Sequence, residues 1–174
     1  LGTVEPRKNL ERLIAAYDQF CQGKTAPPYL VLAGGKGWLD SGIYKKVEEL
    51  GLGDLVKFTE YVPDEEICPL MCGALAFVFP SIYEGFGLPP LEAMACGVPV
   101  LTTHAASLPE VVGEDAIVAD PYSPESIAAG LEQLYTDEAL RQKLREAGPK
   151  RAAQFTWERS AEQLYAVYQE ACRE

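Results

Sequence analysis

The stretch from Phe79 to Thr102, FPSIYEGFGLPPLEAMACGVPVLT, constrains the fold of this chain most. The apolar run Ala74 to Phe79 before it predicts a buried parallel strand that stops at Pro80 and Ser81. A loop with two glycines follows, Glu84-Gly85-Phe86-Gly87. Pro89 and Pro90 stand where proline is tolerated, just before or within the first turn of a helix. That helix is expected over Leu91 to Cys96, ended by Gly97, with a second apolar strand over Val98 to Thr102. Strand, Gly-rich loop, helix and strand in this order aim a helix N-terminus and free backbone N–H groups above the strand ends. An anion is the ligand such a place suits.

Glu84 in the loop and Glu92, placed in the first turn of that helix, flank the glycines with seven residues between them. Carboxylates only accept hydrogen bonds, so they suit the hydroxyls of a sugar or ribose, while the loop N–H groups suit phosphate. A nucleotide-sugar carries both. Taken singly, Glu92 could merely complement a helix dipole and Glu84 could be a solvated loop residue.

In chain order the two hydrophobic periods alternate. Leu1 to Val4 predicts the end of a strand, which points to a longer parent chain. Helix Asn9–Cys21, strand Tyr29–Ala33, helix Ile43–Leu50, strand Val56–Thr59 and helix Asp64–Cys72, capped at Asp64, precede the central unit. After it come helix Leu108–Val112, strand Ala116–Ala119 and three helices: Pro124–Tyr135, Glu138–Phe155 and Trp157–Cys172. Strands separated by helices imply an α/β domain with a doubly wound parallel sheet, Rossmann-like, with helices on both faces and helices closing the chain. Such sheets bind ligands beyond the carboxyl ends of their strands.

At 174 residues one domain, residues 1–174, accounts for the length. A net charge of −11 argues against a nucleic-acid partner. No apolar run is long enough to be transmembrane, and no signal peptide is recognisable. Five cysteines, Cys21, Cys68, Cys72, Cys96 and Cys172, at irregular spacing read as reduced thiols in a cytoplasmic compartment. Cys68 and Cys72 stand one helical turn apart, but the usual zinc spacings are absent, so they are expected to be small core residues and no metal site is expected. Arg7 and Lys8 sit at the start of the first helix, where cations oppose the dipole, and are candidates to hold an anion. Gly34-Gly35-Lys36-Gly37 fails the dinucleotide and phosphate-loop patterns, since Asp40 stands where the third glycine would be. Ser81 and Ser107 lack triad partners at recognisable spacing. The stripe Trp157, Ala161, Leu164, Tyr165, Tyr168 is core or an interdomain contact.

PSIYEGFGLPPLEAMACGVPVLTT resembles the signature of the retaining family 4 glycosyltransferases, which have two Rossmann-like domains, and its E-x7-E element is Glu84 and Glu92. GTVEPRKNL, LVLAGGKG, VKFTEYVPDEEI, SLPEVVGEDAIVADPYSPESIA and FTW extend the resemblance over nearly the whole chain. The part resembled is the C-terminal, donor-binding half, so an N-terminal acceptor domain is expected to be missing and the chain alone to transfer nothing. The resemblance implies transfer of a sugar from an NDP-sugar to an acceptor hydroxyl with the anomeric configuration kept. It places Glu92 on the ribose, Glu84 on the sugar hydroxyls and the N–H groups of Gly85, Phe86, Gly87 and Leu88 on sugar and phosphate. Lys8 would hold the pyrophosphate and, with Glu84, form the catalytic pair. Thr3 stands where the family has arginine, with Arg7 as the substitute. Gly34 forms the tight turn beside the nucleotide, and Tyr61 and Val62 match the loop that meets the base; a plain turn is an equal reading of those two. The family's histidine lies in the other half, so His104 inherits no role. A D-x-D pair is absent and no metal is expected. The donor implied is GDP-mannose or a UDP-sugar, and the site of action is cytoplasmic, with any membrane contact left to the missing half. A nucleotide-sugar epimerase on the same scaffold, or a non-catalytic donor-binding subunit, fits the same residues.

Overall fold

A computed structural model describes residues 1–35 and 41–172. Five strands and eight α-helices are described: α1 (Leu10–Cys21), β1 (Leu30–Ala33), α2 (Ser41–Glu49), β2 (Val56–Glu60), α3 (Asp64–Cys72), β3 (Phe77–Val78), α4 (Leu88–Ala95), β4 (Val100–Thr103), α5 (Leu108–Val112), β5 (Ile117–Ala119), α6 (Pro124–Thr136), α7 (Glu138–Ala152) and α8 (Trp157–Ala171). A short 3-10 turn, Pro6–Lys8, leads into α1. All strand pairing is parallel: β1 with β2, and β3–β4–β5 in order.

Strand alternation sends side chains to two separate cores. Leu32, Leu101 and Ala119 pack with Leu13, Ile14, Ile127 and Leu134 on the α1–α6 face. Phe77, Phe79 and Val100 pack with Leu91, Met94, Leu108 and Ala152 on the face covered by α4, α5 and α7. Helices therefore cover both faces, as a doubly wound sheet requires. Among the described residues β1 and β3 do not pair with each other. A cavity of about 460 Å3 separates them, walled by Val31, Leu32, Phe77 and Val78, with Leu13 and Leu134 below.

Several expectations need correction. Leu1–Val4 is not a strand, although the N–H groups of Gly2 and Val4 bond to the Ala33 and Gly35 carbonyls at 2.9 and 3.2 Å. The apolar run Ala74–Phe79 pairs as a strand only over Phe77–Val78, because β4 alone runs beside it. The helix expected at Leu91 begins three residues earlier, at Leu88, since Pro89 and Pro90 fit its first turn. Asp64 is no cap: Pro63 holds that place and Asp64 lies in the first turn of α3. Cys68 and Cys72 are not core residues: both are exposed, because α3 turns only Met71 fully inward. Cys21 and Cys96, half-buried, pack against the two cores. Nor is α8 core, since it buries none of its residues and leaves Trp157 82% exposed. Among the described residues no helix is long and apolar enough to cross a membrane.

Candidate donor site above the strand ends

Beyond the carboxyl ends of the strands, the turn Pro6–Lys8 and the loop Ser81–Gly87 lie against each other. The Ile82 N–H donates to the Arg7 carbonyl at 2.9 Å. Asn9, between the turn and α1, is 4% exposed and left-handed at φ 60°. Its side-chain amide donates to the carbonyls of Pro80 (3.0 Å) and Pro121 (2.6 Å), and its oxygen accepts from Arg12 at 2.8 Å. One side chain thus joins the exits of β3 and β5 to the start of α1. Thr102 and Thr103 add hydroxyl bonds from β4 to the Phe79 and Ser81 carbonyls, at 3.0 and 2.7 Å. Ser107 donates to the Glu84 and Phe86 carbonyls at 3.1 and 2.7 Å and so fixes the loop's curvature.

On this scaffold Glu84 gathers the two cations. Lys8 Nζ stands 2.8 Å from its Oε1, Arg7 2.6 Å from its Oε2, and the Ser81 hydroxyl donates to Oε1 at 2.9 Å. The Glu84 and Lys8 side chains are 10% and 11% exposed, whereas Arg7 is 43% exposed and also pairs with Glu5 at 2.7 Å. Burial alone would raise the Glu84 carboxyl, but the bonds from Lys8, Ser81 and Arg7 and the charge of Lys8 outweigh it and hold the pKa below the ordinary carboxylate value. Lys8 also lies 4.4 Å from the centre of the Phe79 ring. With Glu5 counted, the four formal charges cancel, so an entering anion must replace carboxylate partners rather than meet a bare positive site.

Thr3 is exposed but joins Lys8, Phe79 and Pro80 around one small recess. Among the described residues the N–H groups of Gly85, Phe86, Gly87 and Leu88 find no hydrogen-bond acceptor. With proline at the second and third positions of α4, the loop N–H groups and that of Leu88 at the helix start are the donors on offer. Gly87 has φ 107°, and a Cβ there would come within 2.7 Å of Leu108. Glu92 lies in the second turn of α4, not the first, because the helix starts early. It is exposed on the same face as Leu88, four residues before, and no pairing with Glu84 is recorded among the described residues.

Gly34 ends β1 at φ 144°, with its N–H on the Glu60 carbonyl at 2.8 Å. A Cβ there would fall 2.0 Å from the Gly2 carbonyl oxygen. Lys36, Gly37 and Asp40 lie outside the described residues. Tyr61 is exposed and Val62 half-buried at the carboxyl end of β2, on the same rim as Gly34. His104 sets Nδ1 against the Ala119 carbonyl, 3.2 Å away. From the sequence alone Asn9 reads only as a helix boundary and Ser107 has no role, because both act on carbonyls far away in the chain. The one local sign was an Asn directly before the helical stripe, a residue type that tolerates positive φ.

Residues 1–151 match the family described as Glycosyl transferases group 1. The chain is 43% identical over 169 residues to O-antigen chain mannosyltransferase B of Escherichia coli, an alignment that covers 97% of this chain and 44% of that protein. The chain therefore spans less than half of that relative's length. Sucrose-phosphate synthase from Thermosynechococcus elongatus superposes with a TM-score of 0.81 at 29% identity, over 99% of this chain and 45% of that one. The C-terminal domain of a glycosyl transferase group 1 protein from Francisella tularensis gives 0.79 at 28% identity, over 88% of this chain and 82% of the other.

Proposed function

The chain belongs to the group 1 glycosyl transferases, and from that premise we propose that it is the donor-binding half of a transferase that moves mannose from a nucleoside diphosphate to an acceptor hydroxyl with retention. The observation that carries this reading is the Lys8–Glu84–Arg7 cluster beneath a loop whose N–H groups have no partner among the described residues. The sugar is argued from the mannosyltransferase relative, and retention from the Glu84–Glu92 element. GDP is the nucleotide to try first, against UDP and ADP.

In this reading the pyrophosphate takes Lys8 and Arg7 from Glu84. The freed carboxylate then accepts from the sugar hydroxyls, while Gly85 to Leu88 donate to sugar and phosphate. Glu92, exposed next to the loop, accepts from the ribose, and Gly34, Tyr61 and Val62 form the nucleotide's rim, with Thr3 beside Lys8. As the bond to the leaving oxygen breaks, negative charge grows on the diphosphate, and the Lys8 ammonium, held beside the Phe79 ring, is in place to meet it. Charge held in advance is the main way such a site lowers a barrier. The acceptor half would lie in the part of the longer relatives that this chain does not span, and the exposed apolar stripe of α8, Trp157, Leu164, Tyr165 and Tyr168, is the surface it would cover.

Titration calorimetry of the 174-residue chain with nucleoside, NDP and NDP-sugar tests the assignment. Lys8→Ala should weaken NDP and NDP-sugar by about 1–3 kcal/mol and leave nucleoside unchanged. Glu84→Ala should weaken only NDP-sugar, and Glu92→Ala should weaken all three ligands alike. Equal losses for nucleoside and NDP in Lys8→Ala would refute the pyrophosphate role.

A further inference from the structure

Three thiols meet away from the donor loop. Cys68 and Cys72 stand one turn apart on α3, and Cys96 caps the C-terminus of α4. The Cys68 sulfur lies 3.8 Å from that of Cys72 and 3.4 Å from that of Cys96, and all three lie within 4.8 Å of one another. All three are free thiols. We propose that Cys68, Cys72 and Cys96 form a site for one thiophilic divalent cation, Zn2+ by its chemistry, with a fourth position open to water or an exogenous ligand.

Geometry is the first argument. Three thiolates each about 2.3 Å from a tetrahedral Zn2+ stand about 3.8 Å from one another. The two shorter separations, 3.8 and 3.4 Å, lie at or just under that value, and the third is no more than 4.8 Å. The donor set is the second. Sulfur alone discriminates against Mg2+ and Ca2+, which need oxygen, and favours Zn2+ among the metals indifferent to redox state. The exposure of Cys68 and Cys72 gives the cation an entry path and leaves the fourth position facing solvent.

The thiolate is the ligating form, so metal entry expels thiol protons. Sequence spacing concealed the site, since the third ligand lies 24 residues beyond Cys72 on a different helix. An ion there would fasten α3 to the end of α4 opposite the Gly-rich loop, independently of any donor.

Cobalt spectroscopy on the reduced, oxygen-free chain tests this. One equivalent of Co2+ should give a sulfur-to-cobalt charge-transfer band with tetrahedral visible bands. Zn2+ should bleach both, and Zn2+ added to the metal-free chain should release protons to a pH indicator. Cys96→Ser should remove about a third of the charge-transfer intensity, and Cys68→Ser, on the exposed face of α3, should do the same. Each should weaken Zn2+ by more than about tenfold. The double variant Cys21→Ser/Cys172→Ser should keep the full signal. Absence of a charge-transfer band, its survival intact in both single variants, or its loss in the double variant would overturn the proposal.

Discussion

Replacing Asn9 with alanine should cost this chain more stability than any other single polar change near the loop. The side chain donates to two carbonyls, Pro80 and Pro121, and is 4% exposed. A buried group left without a partner costs about 1–3 kcal/mol, so the two carbonyls together account for about 2–6. Alanine at φ 60° adds about 1 kcal/mol of backbone strain that asparagine tolerates better. The expected loss is therefore about 3–7 kcal/mol, a large part of the ~5–15 that holds an ordinary domain together. Asn9→Gly separates the two causes, because glycine accepts positive φ but restores neither bond. Urea unfolding at low temperature, followed by circular dichroism, should place Asn9→Gly above Asn9→Ala by about 1 kcal/mol and well below the parent. A loss under about 1 kcal/mol for Asn9→Ala would refute the idea that this amide ties β3, β5 and α1 together. Equal stability of the two variants would refute the strain component alone.

Glu84→Gln should destabilise the chain by about 1–3 kcal/mol at neutral pH. Because the folded carboxyl is held below its ordinary value of 4.5, the parent's advantage should be complete above that pH and fade as pH falls through the depressed value; unfolding measured from pH 7 to pH 3 would contradict this if the difference stayed constant. Gly34→Ala would place a Cβ against the Gly2 carbonyl at a φ that alanine rarely adopts, and should lower the melting temperature by at least about 4 °C. An unchanged melting temperature would mean that the Gly2–Gly34 approach is not needed.

The bounds of α3 and α5 were legible to the residue, because each is a short apolar-sided run between a proline or serine and a glycine. The alternation of helices with parallel strands was legible for the same reason, since periods of 3.6 and 2 are local properties. What escaped depends on partners. The Ala74–Phe79 run looked like a full strand, yet pairing extends only as far as β4 accompanies it. Glu92 was assigned to the wrong turn because two prolines mark a helix start without saying which side of them it falls. Arg7, Lys8 and Glu84 were each singled out, but that they would bind one another follows only once the Pro6–Lys8 turn and the loop after β3 lie side by side. Cys96 was not grouped with Cys68 and Cys72 for the same reason.

Amide protons would report the gap between β1 and β3 as a seam. Phe77 and Phe79 direct their N–H groups to β4, and Leu30 directs its own to Leu55, which opens β2's side of the ladder. By the alternation of a parallel strand, Val78 and Val31 turn theirs the other way, toward the apolar space. Hydrogen–deuterium exchange should then be slowest within β3–β4–β5 on the β4 side and fast at Val31 and Val78, so that the sheet opens as two units rather than one. Any segment that slid into the gap and paired with both edges would slow those two amides before it changed the overall melting temperature.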